Sequence, residues 1–295
     1  MNKLMSSLSS IAPLALRRGL IGAAVAGALV LAGGLAPASA QEHGGTKPHR
    51  ESWSFAGPFG KYDRAQLQRG FQVFKEVCSS CHSAHLLAFR NLAQPGGPQF
   101  SEEQAKVVAE GYQIQDGPND AGDMFDRPGR LSDHWPSPFP NEQAARASNG
   151  GAYPPDFSTL AKARTYEVGF PGFLIDIFTQ YQEQGPDYIH ALLNGYVDPP
   201  EGVTVPEGAH YNAYFPGHAI KMPQPISADQ VTYTDGTPQT VDQYSRDVTA
   251  FMMWVAEPHL EARKRIGFQV MVFLIIFAGL LYFTKKKVWK AVHDH

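Results

Sequence analysis

Apolar side chains fall at helical spacing in several short stretches and in one long unbroken run near the end of the chain. Leu67, Phe71, Phe74 and Cys78 recur every three or four residues behind Asp63 and Gln66, a pair that resembles a helix cap. The spacing predicts a helix over roughly 64–77 that delivers Cys78 at its end. Residues 101–110 predict a second helix and 186–193 a short third one. Tyr244, Val248, Phe251 and Val255 mark a last helix ahead of Pro258. In 173–181, Leu174, Ile177, Phe178 and Tyr181 share one face. That stretch is too short to cross a bilayer, so it packs on the domain or lies at an interface. Val231–Tyr233 and Thr240–Val241 flank Asp235-Gly236, which predicts a small hairpin. The remainder of 91–160, and 198–225, is dense in Pro, Gly, Asn and Asp and predicts ordered loops.

Two apolar runs differ from these. Residues 19–35 follow Arg17-Arg18 and lead to Ala38-Ser39-Ala40, the pattern of a secretory signal cleaved before Gln41. Residues 266–283 contain no charge and would span about 27 Å as a helix, enough for a hydrocarbon core. Arg263-Lys264-Arg265 and Lys285-Lys286-Lys287 bracket the run, with Tyr282 and Trp289 near one interface. The basic triplets leave the orientation nearly tied, and the export signal decides it. The expected organisation is a signal peptide (1–40), an exported domain (41–262), a transmembrane anchor (263–284) and a cytoplasmic tail (285–295).

Composition sharpens this picture. Gly and Pro together make up 51 of 295 residues, in keeping with a loop-rich fold. The formal net charge of −3 excludes a strongly basic nucleic-acid binder. That figure hides an asymmetry, because residues 41–262 hold 15 basic and 27 acidic side chains, a net charge of −12. An acidic exported domain suits a cationic partner.

The two cysteines lie in Cys78-Ser79-Ser80-Cys81-His82, the C-x-x-C-H of c-type haem attachment. Thiols about one turn apart can add to two vinyl groups on one haem edge, and the next residue then supplies a proximal nitrogen. A thioredoxin-like motif would need a βαβ setting, and a structural zinc site would need more thiols than the chain has. The second axial ligand must come from elsewhere. Met1 and Met5 lie in the signal, Met271 in the span, and Met252 and Met253 on the last helix, where core packing is the commoner role. Met124 and Met222 are loop candidates. Met222 stands before Pro223 and is favoured on spacing, with His218 as its rival; His85 is too close to His82 to reach the opposite haem face.

Several longer motifs carry a resemblance. Gly70-Phe71-Gln72-Val73-Phe74, Gln115-Asp116-Gly117-Pro118-Asn119 and 127–133 (RPGRLSD) are similar to segments of the cytochrome c1 family. So are 149–156 (NGGAYPPD), 211–217 (YNAYFPG) with Met222, and Ala256-Glu257-Pro258. The similarity runs over about 50–290. It implies a mainly α, class I cytochrome c-like haem domain with long ordered loops, plus one C-terminal transmembrane helix. It further implies one haem c attached through Cys78 and Cys81, with His82 and Met222 as iron ligands, which settles the choice over His218. By the same resemblance Arg164 and Tyr188 contact the haem propionates, and Asn149 and Pro155 line the haem crevice. The extra disulfide of some bacterial members has no cysteines here to form it.

The implied function is one-electron relay in a quinol–cytochrome c reductase. The expected partners are a cytochrome b, a Rieske iron–sulfur protein, a basic cytochrome c acceptor and the lipid bilayer, in a dimeric complex. The expected location is the periplasmic face of a bacterial inner membrane. The chain itself then makes no bonds. A stand-alone anchored haem carrier and a haem c peroxidase are the alternatives, the latter needing an open sixth iron position.

Overall fold

A computed structural model describes residues 46–293, so the expected signal peptide and Asp294 lie outside the described residues. Among the described residues there are eight α-helices: α1 (Arg64–Glu76), α2 (Glu102–Glu110), α3 (Glu142–Ser148), α4 (Leu160–Ala163), α5 (Gly172–Thr179), α6 (Gln184–Asn194), α7 (Val241–Ala256) and α8 (Leu260–His293). Two small antiparallel ladders join β1 (Gln113–Asp116) to β2 (Phe125–Pro128) and β3 (His210–Tyr211) to β4 (Ala219–Ile220). Apart from two isolated antiparallel bridges, Ala88 with His134 and Tyr196 with Asn212, everything else described is loop or 3₁₀ turn. The fold is mainly α, as the sequence implies.

The predicted helices begin where local chemistry satisfies their first amides. The Asp63 carboxylate accepts from Gln66 N at 2.7 Å, Ser101 and Gln104 form a reciprocal capping box, and Thr240 Oγ1 accepts from Gln243 N at 3.2 Å. The core forms where α1 crosses α7. Gly70 makes this crossing possible, because a Cβ there would run into the Asp247 carbonyl and come within 2.7 Å of the Phe251 Cβ. The close approach lets Phe71 and Phe74 meet Phe251, at ring separations of 5.7 and 5.4 Å. Trp135 and Phe157 extend the cluster, at 5.0 and 5.8 Å from Phe74. A polar tie supports the same crossing: buried Asp247 accepts from Arg69 Nε at 2.9 Å and from the Tyr233 hydroxyl at 3.0 Å.

The predicted hairpin around Asp235-Gly236 does not form. Val231 and Tyr233 are buried, but they bond to α7 rather than to a strand: the Tyr244 hydroxyl donates to Val231 O and accepts from Val231 N, and Tyr233 reaches Asp247. Thr240 serves as the α7 cap. The loop-rich stretch 91–160 holds β1, β2 and α3 besides α2, which the sequence pattern does not reveal. Arg127 closes the β1–β2 hairpin by pairing with Asp116 and, at 2.6 Å, with Asp133.

A second tie holds the N-terminal segment to α6. The Asp187 carboxylate is fully buried and accepts from Glu51 N (3.0 Å), Trp53 Nε1 (2.9 Å), the Tyr166 hydroxyl (3.1 Å) and the Tyr181 hydroxyl (2.5 Å). Burial and this carboxylate push the Tyr166 hydroxyl up to about 12. Asp187→Ala would strand these donors, at a cost of about 3–5 kcal/mol. Thermal unfolding should show a large loss of stability with the secondary structure retained below the transition. A shift within the range of neutral surface changes would contradict this assignment.

Helix α8 grows out of the domain. Leu260 is buried, Glu261 accepts from Tyr62 N at 3.1 Å, and Lys264 donates to Phe55 O at 2.5 Å. From Ile266 onward its large apolar side chains are exposed, and Leu260–Lys290 is long and apolar enough to cross a membrane.

Candidate functional site

The end of α1 sets up the motif. Val77 closes the helix, and a 3₁₀ turn over Cys78–Ser80 follows. His82 N and Cys81 N both donate to Cys78 O, at 2.9 and 3.1 Å, so the five residues fold into one compact turn. Cys78 is buried and Cys81 exposed, and both thiols are free. Burial pushes the Cys78 thiol up to about 12, so in this structure it is a neutral thiol.

The His82 ring is the best-fixed group of the site. Its Nδ1 lies 2.8 Å from the Pro155 carbonyl, and its ring packs against Phe157, tilted by 32°, with centroids 4.4 Å apart. A carbonyl can only accept, so Nδ1 carries the proton and Nε2 keeps its lone pair. Burial lowers the His82 pKa, opposed by the Pro155 bond and the charge of Asp156, and favours the neutral ring a metal needs. Phe157 in turn packs on Phe74, so the α1–α7 core buttresses the ring. Two free thiols and an oriented, neutral imidazole fit a covalently attached haem. The Pro155 carbonyl is the kind of acceptor that orients a histidine for metal binding.

The loop that carries Pro155 is held on both sides. Asn149 caps α3 and donates from Nδ2 to Ala145 O at 2.7 Å, while Arg146 bonds Gly151 O at 3.1 Å. Downstream, Asp156 zips the loop to the residues after His82. Its carboxylate accepts from Ser83 Oγ at 2.6 Å, His85 N at 2.9 Å and Ser158 N at 2.7 Å, and it faces the His85 ring at 2.8 Å. Burial opposes the Asp156 charge, but the bonds from Ser158, Ser83 and His85 outweigh it and hold the carboxyl well below its ordinary value. Asp156→Ala should therefore cost about 2–4 kcal/mol at neutral pH. A group with a depressed folded pKa stabilises above its unfolded pKa and loses that contribution as pH falls. The gap between wild type and variant should thus close progressively below about pH 4. Denaturant unfolding from pH 7 to pH 3 checks this, and a gap independent of pH would contradict it.

Beside Cys81 the surface opens into a cavity of about 140 Å³, walled by Ser83, Phe139, Asn141, Tyr153 and Pro154. Pro155 and Asn149 thus belong to one loop, but only Pro155 touches His82. Arg164, the exposed C-cap of α4, lies close enough to the buried Tyr188 phenol for its charge to act on it. Burial raises the Tyr188 pKa, and Arg164 offsets part of the rise.

Met222 is half-buried against the core, and the Tyr196 hydroxyl donates to its carbonyl at 3.0 Å. Tyr196 also sits near Tyr188, and burial raises its pKa. Sequence reasoning missed Tyr196, Phe157 and Asp156, since their roles rest on contacts with distant segments. His218 is committed to a turn: its φ is 58°, its Nδ1 lies 3.1 Å from Asn212 O, and its ring stacks on Tyr211. Of the other methionines, Met124 is exposed, and Met252 and Met253 are buried in the core.

Comparison with known proteins gives one answer throughout. Residues 53–292 match the Cytochrome C1 family. A protein described as "Cytochrome b/c1" from Bradyrhizobium diazoefficiens is 65% identical over 92% of this chain, which covers 40% of that relative's length. "Cytochrome c1" of Blastochloris viridis is 55% identical over 90% of this chain and 95% of its own length. "Cytochrome c1" of Rhodospirillum rubrum is 45% identical over 92% and 97% respectively.

Proposed function

The chain belongs to the cytochrome c1 family, and on that premise we propose that it relays single electrons from a Rieske iron–sulfur protein to a cytochrome c. Members of this family are membrane-anchored, haem c-carrying redox subunits of the cytochrome bc1 complex, the quinol–cytochrome c reductase. In this reading Cys78 and Cys81 would hold the haem covalently, and His82 and Met222 would bind its iron. Arg164 and Tyr188 meet the propionates, and Asn149 and Pro155 shape the crevice loop. Residues 1–40 are the export signal, 41–262 the periplasmic haem domain, 263–284 the anchor and 285–295 the cytoplasmic tail.

When bound, the haem supplies a one-electron Fe(III)/Fe(II) couple. The residues of the chain tune and hold it. The Pro155 carbonyl fixes the His82 tautomer and ring plane, so Nε2 needs no reorganisation to bind. The Met222 thioether, a soft donor, would favour the reduced metal and raise the potential relative to a second imidazole. Tyr196 fixes the main chain that carries it. The aromatic wall of Phe157, Phe74 and Trp135 keeps water away and disfavours extra positive charge. No side chain is asked to move a proton, and no bond is made on this subunit.

The observation that carries this reading is the His82 ring, oriented by Pro155 directly after two free thiols. Purification from membranes tests it. The chain should emerge with a haem b-containing membrane protein and a Rieske protein, as a complex with quinol-dependent cytochrome c reduction. Isolation as a lone haem protein without either partner would contradict it.

A further inference from the structure

Helix α5 is built inside out. Its one buried residue is a carboxylate, Asp176, held by Arg50 at 2.5 Å and by Gln184 Nε2 at 3.1 Å. Its apolar side chains face outward: Ile177 is 65% exposed and Phe178 87%, with Phe173, Leu174 and Ile175 also exposed and Phe170 at 80% in the turn before it. Asp176 fixes the helix to the domain at its middle and the Tyr181–Asp187 bond fixes the chain just beyond its C-terminal end, so this orientation is built in. A dense apolar patch on a protein surface marks an interaction site.

The surroundings identify the partner. A cavity of about 410 Å³ separates the chain leaving α5, at Gln180, Gln182 and Glu183, from Gly267, Phe268 and Met271 of α8. Those α8 residues already belong to the apolar run of the membrane helix. Phe59, also exposed, packs edge-on against Phe268 at 5.5 Å. The end of α5 therefore lies beside the part of α8 that is apolar, continuous with the lipid-facing surface. Residues 165–181 contain no basic side chain, and Arg50 beside them is paired with Asp176, but the exposed Lys47 lies against them with its Nζ donating to Val168 O at 3.3 Å. The Lys47 ammonium beside an exposed apolar helix suits an anionic lipid headgroup.

We propose that α5, together with Phe170 and Phe59, lies in the interfacial layer of the bilayer beside α8 and gives the haem domain a second lipid contact. This inference concerns membrane contact alone and does not depend on the haem ligands or on the electron-transfer partners. An eight-residue helix is a weak membrane binder by itself. Tethered to a spanning helix, it acts at high effective concentration and needs little intrinsic affinity. Its contribution is to limit the tilt of the domain about α8.

Photo-crosslinking in the native membrane tests this on the full-length, haem-loaded chain. p-Benzoylphenylalanine is placed at Phe178, with the same replacement at Phe273 on α8 as the lipid-facing reference and at Phe125 on the β1–β2 hairpin as the reference away from α8. Phe178 packs against little, so the replacement leaves the fold intact, which covalent haem staining verifies. After irradiation, mass spectrometry should find phospholipid adducts at 178 within about threefold of those at 273 and roughly tenfold above those at 125. Adducts at 178 to another polypeptide, whether a partner subunit or a second copy, would overturn the proposal. So would the absence of adducts at 178 when 273 is labelled.

Discussion

Met222→Leu should retain its covalently attached haem and lose its thioether signature. Cys78 and Cys81 are untouched, and Leu nearly matches the volume of Met, so the packing cost stays below about 1.5 kcal/mol. The Tyr196 bond goes to the Met222 carbonyl and survives any side-chain change. On the proposed ligation, what would disappear is the soft thioether donor to the iron. The reduction potential should fall by on the order of 0.1 V or more, the near-infrared sulfur-to-iron band should vanish, and exogenous ligands should bind. His218→Ala is the paired control. Its ring bonds Asn212 O and stacks on Tyr211, so its loss should disturb the 211–218 turn and leave the band in place. An intact band in Met222→Leu, or a band lost only in His218→Ala, would reverse the assignment.

The second large effect is expected in the encounter with the electron acceptor. Residues 41–262 carry a net charge of −12. Part of the acid is already spoken for: Asp116 and Asp133 pair with Arg127, and Asp235 and Asp247 with Arg69. Asp120, Asp123 and Asp126 on the β1–β2 hairpin are exposed and carry no ion pair among the described residues, and Glu102 and Glu103 are exposed at the start of α2. Opposed charges raise association rates by roughly 10–10³-fold at low ionic strength, and screening removes the gain as the Debye length falls from about 30 Å at 0.01 M to about 10 Å at 0.1 M. The bimolecular rate with a basic cytochrome c should fall steeply across that range, while electron transfer within the formed complex stays nearly constant. Replacing Asp120, Asp123 and Asp126 by Asn should flatten the slope. A slope that is flat in the wild type would make the charge a solubility feature, and a rate that rises with salt would mean an acidic acceptor.

What the sequence discloses, and what it conceals, follows from the range of the interactions involved. Helices α1, α2, α6, α7 and α8 are legible because their apolar periodicity and their caps at Asp63, Ser101 and Thr240 are local. The pattern at Val231–Tyr233 correctly marks buried residues and misidentifies their partner. Burial there comes from the Tyr244 and Asp247 side chains of α7, and no strand is involved. The β1–β2 hairpin is hidden because its strands are short and mostly polar, and Arg127 closes it through two carboxylates that no periodicity links. Helix α3 is hidden by the Pro-rich sequence before it and the glycines after it.

The site divides in the same way. Cys78, Cys81 and His82 form a contiguous signature. The group that orients His82 is a main-chain carbonyl 73 residues away, and a carbonyl leaves no mark in composition. Tyr196 is equally silent, being one tyrosine among 12 until the fold brings it to Met222. The apolar face of α5 is legible as a pattern. That it faces outward is not, because the deciding contact is between Asp176 and Arg50, 126 residues apart.

Rapid mixing of the purified complex with a quinol tests the electron-relay claim most directly. The haem bound at Cys78 and Cys81 should become reduced when the Rieske protein is present, remain oxidised when it is removed, and give up its electron on addition of a cytochrome c. Quinol-driven reduction at an undiminished rate without the Rieske protein, or a reduced haem that added cytochrome c fails to oxidise, would contradict the account.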